Sequence, residues 1–170
     1  MQNLVSKKEE EERRLKALAE YRILGTKPES CYDDITKIAA TTCNVPISLM
    51  TLVDKDKQWF KSKIGLQISE TRRDWSFCTH AIKENSPLII HDAFQDERFI
   101  NNPLVTGDPK IRFYAGFPLR NSDGNKLGTL CVIDRKPGNL TTQQFNIMEL
   151  LSKQIVSFLE LRKKSLNLLD

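Results

Sequence analysis

The sequence predicts an α+β domain: a central antiparallel sheet of about five to six strands, with the N- and C-terminal helices on one face and a short helix and a long loop covering a pocket on the other. Three observations carry this. Helical patterns occupy both ends of the chain. Strand patterns come in pairs joined by turn signals, Asp54-Lys55-Asp56-Lys57 and Asp123-Gly124, which makes neighbouring strands antiparallel. Between Leu88-Ile89-Ile90 and Phe113 runs a long connection with neither a strand nor a long-helix pattern. Its apolar Phe94, Phe99, Ile100, Leu104, Val105 and Ile111 can anchor it to a core, so it reads as a folded recognition loop rather than a disordered one.

The elements follow in order. An N-terminal helix is expected over 7–24, where Gly25 supplies a left-handed cap and Pro28 prevents continuation. Its Glu9/Arg13, Glu10/Arg14 and Glu12/Lys16 pairs have the i,i+4 spacing of a solvated helix. A second helix opens near Ser30, with Cys31, Ile35, Ile38 and Thr42 on one face, and ends at Val45-Pro46. Ile47 to Val53 reads as a largely buried strand, and Gln58 to Ile64, studded with lysines, as an edge strand. Ser76 to Asn85 is a short helix with Phe77, Cys78, Ala81 and Ile82 on its apolar side. Phe113 to Leu119 and Lys126 to Ile133 form a hairpin expected at the sheet centre. The last helix, 141–165, has a full start signal: Thr141 caps, Gln144 completes a capping box, and Leu140 staples onto Phe145. Met148, Leu151, Ile155, Phe158 and Leu159 give it a broad apolar face, which implies dimerisation through a helical bundle.

Composition bounds the function. At 170 residues the chain fits one domain, 1–170, with a core over about 21–162. No apolar run approaches a membrane span and no signal-peptide region is present, so a cytoplasmic, soluble protein without a membrane partner is expected. Cys31, Cys43, Cys78 and Cys131 form no CxxC pair, which argues against a zinc ribbon or a disulfide scaffold. The net charge of +4 is poorly localised, since six basic residues between Lys7 and Arg22 accompany five acidic ones. Without a segregated basic face, no nucleic-acid partner is expected.

The runs LVDKDKQWFKSKIGL, SFCTHAI, PLIIHDAFQDERFINNPLV, IRFYAGFPL and GNKLGTLCVIDRKPGNLTTQQ, in that order, resemble a GAF domain of the bacterial signalling type over roughly 21–162. The resemblance implies a PAS-like fold that binds a small molecule, or serves as a dimerising relay, for a signalling partner in trans or an attached output domain. The chain then reads as a stand-alone regulator or an excised fragment, with Met1 favouring a natural N-terminus. The signature of cyclic-nucleotide-binding members is not at its place. The Cys-His pair that holds bilin in phytochrome-like members is interrupted by Thr79.

Ligand-binding candidates are Trp75, Phe77, Cys78, Asp92, Phe99, Arg112, Tyr114 and Cys131. An aromatic wall with one carboxylate and one guanidinium suits a small polar or anionic ligand, because arginine grips such groups in bidentate fashion. The alternative is structural: Asp92 caps a turn, Arg112 pairs with Asp92, Asp96 or Glu97 to pin the loop, and the aromatics fill the pocket. No catalytic residue, metal ligand or identifiable cofactor is expected. Cys-x-His spacing does not put Cys78 and His80 on one helix face. A cysteine-based enzyme similar to free methionine sulfoxide reductases is a rival, with Cys78 as thiolate and Cys131 approaching it. A ligand-free dimerisation or protein-interaction module is the other.

Overall fold

The computed structural model describes residues 2–170, with side chains from Ser6 onward. Helices α1 (Gln2–Glu20) and α2 (Ser30–Cys43) precede strands β1 (Ile47–Val53), β2 (Lys57–Ile64) and β3 (Glu70–Arg72). Then come α3 (Phe77–Ala81), β4 (Leu88–Ile90), α4 (Pro103–Thr106), β5 (Phe113–Arg120), β6 (Lys126–Asp134) and α5 (Thr142–Asn167). The six strands form one sheet in the order β3-β2-β1-β6-β5-β4, antiparallel throughout. This is the expected α+β architecture. Among the described residues no helix is long and apolar enough to cross a membrane.

Two cores sandwich the sheet. Alternate residues of β1, β5 and β6, among them Met50, Leu52, Ala115, Phe117, Leu130 and Val132, meet α1, α2 and α5 on one face. Their neighbours Leu49, Val53, Tyr114, Cys131 and Ile133 meet α3, α4 and the loop around them on the other. Burial on both faces explains why β1 and β6 read as almost unbroken apolar runs instead of alternating ones.

Several local readings are corrected. Strand β2 is not an edge, because β3 pairs outside it through Lys57↔Arg72, Gln58↔Thr71 and Trp59↔Glu70. Its lysines mislead: Lys57 and Lys63 lie at the strand ends, but Lys61 is buried and satisfied, its Nζ 2.7 Å from Glu29 and 2.8 Å from Thr26 Oγ1. Helix α1 stops at Glu20, before the expected Leu24. Tyr21 and Ile23 both enter the core, which requires the chain to turn between them, and Arg22 takes a left-handed φ of 46°. The freed carbonyls are taken up by α5, where Arg162 Nε donates to Tyr21 O at 2.7 Å and Nη2 to Arg22 O at 2.8 Å.

Helix α2 turns a different face inward. Tyr32, Ile35, Thr36, Ala39, Ala40 and Cys43 are buried, while Ile38 is 47% exposed and Cys31 and Thr42 are only partly covered. Helix α3 ends at Ala81 rather than Asn85. The residues after it turn, and Glu84 O and Asn85 Oδ1 receive hydrogen bonds from Lys126 Nζ. At α5 the capping box is complete: Gln144 N donates to Thr141 Oγ1 at 3.1 Å, and Thr141 N to Gln144 Oε1 at 2.8 Å.

Candidate functional site

On the face opposite the three long helices, the sheet, α3 and the 103–111 segment enclose a cavity of ≈ 20 Å³. A cavity of that size holds about one water and is far below the roughly 300–1,000 Å³ of small-molecule pockets. Phe60, Ile111, Leu104 and Ile133 supply apolar walls, and Gln58 and Thr71 a polar end. There Ser76 Oγ donates to Gln58 Oε1 at 2.7 Å and Gln58 Nε2 to Thr71 Oγ1 at 2.7 Å, so the polar atoms bond one another.

Four of the eight residues singled out from the sequence line this cavity: Phe77, Cys78, Tyr114 and Cys131. Phe99 is buried behind them, stacked on Phe77 with ring centroids 4.0 Å apart. The other three are not in the wall. Trp75 is half-buried, its carbonyl accepting from Asn102 Nδ2 at 3.0 Å, and the Arg72 guanidinium lies 5.5 Å from its ring. Asp92 caps a 3-10 turn by accepting from Phe94 N at 3.0 Å. Arg112 donates to Val105 O at 3.0 Å and Ile111 O at 2.9 Å, and its guanidinium sits 3.5 Å from the Phe94 ring centroid. Its partners are therefore loop carbonyls and an aromatic face rather than Asp92, Asp96 or Glu97, and Asp96 is taken by Arg98. Arg112 does pin the loop, by other means than charge pairing. His80 lies edge-on to Phe99, and burial, followed by Lys83 and Arg98, lowers its pKa.

Beside the cavity, behind Cys78, Tyr114 and Cys131 of its wall, lies a compact polar group. Thr51 on β1 and Thr129 on β6 are register partners, with hydroxyl oxygens 3.1 Å apart. Thr129 Oγ1 donates to Cys78 Sγ at 3.1 Å, and Tyr114 OH donates to the same sulfur at 3.2 Å. Cys131, two residues beyond Thr129 on the same strand face, lines the same cavity as Cys78. All five side chains are buried. Burial by itself would push the Cys78 thiol up, but donors from Cys131, Thr129, Thr51 and Tyr114 outweigh it and hold the thiol below its ordinary value. Burial and the adjacent Cys78 push Cys131 and Tyr114 well above theirs.

Backbone geometry makes this convergence possible. Gly116 pairs with Cys131 across β5 and β6, and a Cβ at Gly116 would lie only 2.1 Å from the Tyr114 hydroxyl. The missing side chain lets the Tyr114 ring lie along its own strand and reach Cys78. In the Phe-Tyr-Ala-Gly run the glycine is thus the seat of the phenol. Sequence reasoning missed Thr51, Thr129, Gln58 and Gly116. The threonines had a signal, each being a buried polar residue in a largely apolar strand, a signal that Ser48 shares in β1, and they form a pair only once β1 is placed beside β6.

The family model described as GAF domain matches residues 27–158. A curated Pseudomonas aeruginosa protein, named cyclic di-GMP phosphodiesterase PA2567, is 37% identical over 150 residues, which cover 88% of this chain and 26% of that protein. The chain therefore spans about a quarter of its relative's length. Among solved structures, the GAF domain from an Acinetobacter phosphoenolpyruvate-protein phosphotransferase aligns with a TM-score of 0.63 at 14% identity, covering 91% of this chain and 96% of that one. The free methionine-R-sulfoxide reductase from Neisseria meningitidis, in complex with its substrate, aligns with a TM-score of 0.65 at 14% identity, covering 86% and 87%. At such identities these two likenesses speak for the fold alone.

Proposed function

The chain belongs to the GAF domain family, and from that premise we propose that it is a non-catalytic regulatory module of a cytoplasmic signalling protein, one that binds a small molecule on the cavity face and passes the change through its terminal helices. The observation that carries the reading is the placement of the α1–α5 junction. The end of α1 and the C-terminal part of α5 are tied together by Arg162 on Tyr21 O and Arg22 O, by the Tyr21 hydroxyl on Glu160, and by the Lys163–Glu20 ion pair. The junction belongs to the helix-side core and the cavity to the core on the other face of the sheet. Strands β1 and β6 touch the cavity with Leu49 and Cys131 and the helix layer with Met50 and Leu130. A displacement of one core is felt by the other, because packed interiors transmit strain.

The small cavity sets a condition. A metabolite enters only if the 103–111 segment moves outward, so the liganded state differs from the closed one and binding biases between the two. Exposed Leu150 and Leu161 on α5, with Leu168 and Leu169 just beyond it, offer apolar surface for a homodimer through the terminal helices. The output would be a signalling partner in trans or an attached domain, such as the phosphodiesterase activity that the relative's name describes. Four free thiols suit a reducing, cytoplasmic compartment.

One observation favours a second reading. A cavity of ≈ 20 Å³ is also what a dimerisation or protein-interaction module without a ligand would have. A thermal-shift screen against nucleotides, amino acids, organic acids, methionine sulfoxide and aromatic metabolites separates the two, with native mass spectrometry and hydrogen exchange on the same sample. The regulatory reading expects a stabilising class, at ~100 times its Kd worth about 2.7 kcal/mol, that slows exchange in both the 103–111 segment and the Tyr21–Arg22 turn. A tight dimer with no binder, or a binder that leaves the turn unchanged, refutes it.

A further inference from the structure

We propose that Cys78 and Cys131 form a peroxide-reactive dithiol site, in which hydrogen peroxide admitted to the cavity is reduced to water while the two thiols close to a disulfide. This goes beyond the regulatory reading and does not require a metabolite to bind. Three observations meet here. The two cysteines line the same cavity, and Thr129, whose hydroxyl is 3.1 Å from Cys78 Sγ, stands two residues from Cys131 on the same face of β6. The Thr129 and Tyr114 hydroxyls both aim protons at Cys78 Sγ, from 3.1 and 3.2 Å, deep in a largely apolar core. Hydroxyls buried against a thiol favour its ionised form, which is the nucleophile. Finally, the cavity of ≈ 20 Å³ suits a solute of about the size of water, and hydrogen peroxide is only one oxygen larger. Cys43, by contrast, is buried with no such donors, and burial pushes it up to about 11.

The chemistry balances with peroxide as the only oxidant. The Cys78 thiolate attacks one peroxide oxygen and the O–O bond breaks. The other oxygen leaves as hydroxide and becomes water by taking up a proton from solvent, which replaces the one that Cys78 released to solvent on ionising, while the Tyr114 and Thr129 hydroxyls keep donating to the sulfur. Cys78 is now a sulfenic acid. The Cys131 sulfur then attacks the Cys78 sulfur, the S–O bond breaks, and the departing hydroxide takes the Cys131 proton to leave as a second water. Two thiols have lost two electrons, and one peroxide has gained them. A dithiol reductant reverses the change. Closure to an S–S bond of ~2 Å draws α3 toward β6, which lies against α5 on its far side.

The test uses the full chain, reduced and freed of reductant, then exposed to hydrogen peroxide and quenched with N-ethylmaleimide for peptide mapping by mass spectrometry. The expected result is a Cys78–Cys131 crosslink that dithiothreitol reverses, formed with Cys31 and Cys43 still alkylated. Cys78 should react at least about tenfold faster than Cys43, as its greater thiolate fraction dictates. Bulky cumene hydroperoxide should react far more slowly than hydrogen peroxide. In Cys131→Ser the reaction should stop at a sulfenic acid on Cys78 that dimedone traps, and Thr129→Val should slow the first step with the circular dichroism spectrum unchanged. If Cys78 reacts no faster than Cys43, or if the wild-type chain yields sulfinate without the crosslink, the proposal is overturned. Wild-type mapping decides the matter even where a variant fails to fold.

Discussion

Replacing Gly116 by Ala tests the account of how the polar group is assembled. The added Cβ would stand 2.1 Å from the Tyr114 hydroxyl oxygen and 2.6 and 2.7 Å from two of its ring carbons. Ordinary contact begins near 3.4 Å, so the ring must withdraw by more than 1 Å. It has little room, since the Phe77 ring centroid is 5.1 Å away, Phe99 stacks behind Phe77, and the cavity holds only ≈ 20 Å³. Overpacking of this kind costs about 1–3 kcal/mol, and the lost hydroxyl bond to Cys78 adds about 0.5–1.5 kcal/mol. Removing a glycine from a strand returns roughly 0.5–1 kcal/mol. The net expectation is a loss of about 2 kcal/mol, or a Tm lower by ~4–8 °C for a chain of this size. Urea unfolding followed by fluorescence measures it, and a cycle with two Tyr114 variants locates its origin. In a Tyr114→Phe background the cost should persist, because the offending ring carbons remain. In a Tyr114→Leu background most of it should vanish, because the shorter side chain vacates the place of the new methyl. A cost below about 0.5 kcal/mol, or one that is equal in the Phe and Leu backgrounds, would refute the idea that Gly116 seats the phenol.

Further outcomes are expected elsewhere in the molecule. Thr141→Ala removes the hydroxyl that accepts from Gln144 N, one of the two reciprocal bonds of the α5 capping box, and should cost about 1 kcal/mol in urea unfolding. Arg162→Ala leaves Tyr21 O and Arg22 O without their donor; hydrogen exchange should quicken around the α1–α5 junction, with a stability loss of roughly 1–3 kcal/mol. For Glu11, burial alone would raise the carboxyl, yet the Arg14 and Arg73 guanidiniums hold it at about 2 against an ordinary 4.5. Because the folded value is the lower one, its contribution is fully present above 4.5 and fades as pH falls from there toward 2. Thermal unfolding between pH 6 and pH 3 should therefore fall less steeply in Glu11→Gln than in the wild type, and the difference should shrink at high salt because the carboxyl is partly exposed.

The sequence made the architecture legible because periodicity and turn chemistry are local signals. Asp123-Gly124, the Thr141–Gln144 box and the apolar runs of β1 and β6 each point to one element, and the antiparallel order follows from the short connections. Features that depend on tertiary partners were not legible. Lys61 counts as an edge residue by type, and only the loop carrying Thr26 and Glu29 makes it a core cation. The face of α2 rotated because small Ala39 and Ala40 allow close approach where Ile38 would not, and apolar spacing alone ranks Ile38 above them. At the candidate site the aromatics and cysteines were recognisable by type and by their place beside strands. Asp92 and Arg112 looked like ligand groups for the same reason, their chemistry, but backbone atoms a few residues away claim both. Thr51 and Thr129 lie 78 residues apart, and no local pattern links them.

That last distance has a consequence in time. During synthesis β1 leaves the ribosome long before β6, the partner that covers its second edge. At ~5–20 residues per second, the 78-residue separation between Thr51 and Thr129 amounts to about 4–16 s in which the apolar Ile47–Val53 segment is paired on one side only, by β2. A nascent chain in that interval presents an open, largely hydrophobic strand edge, the kind of surface that captures other chains. The sheet is thus closed only when β6 arrives, and slowing or pausing synthesis between β4 and β6 should lower its soluble yield more than the stability of the finished protein would suggest.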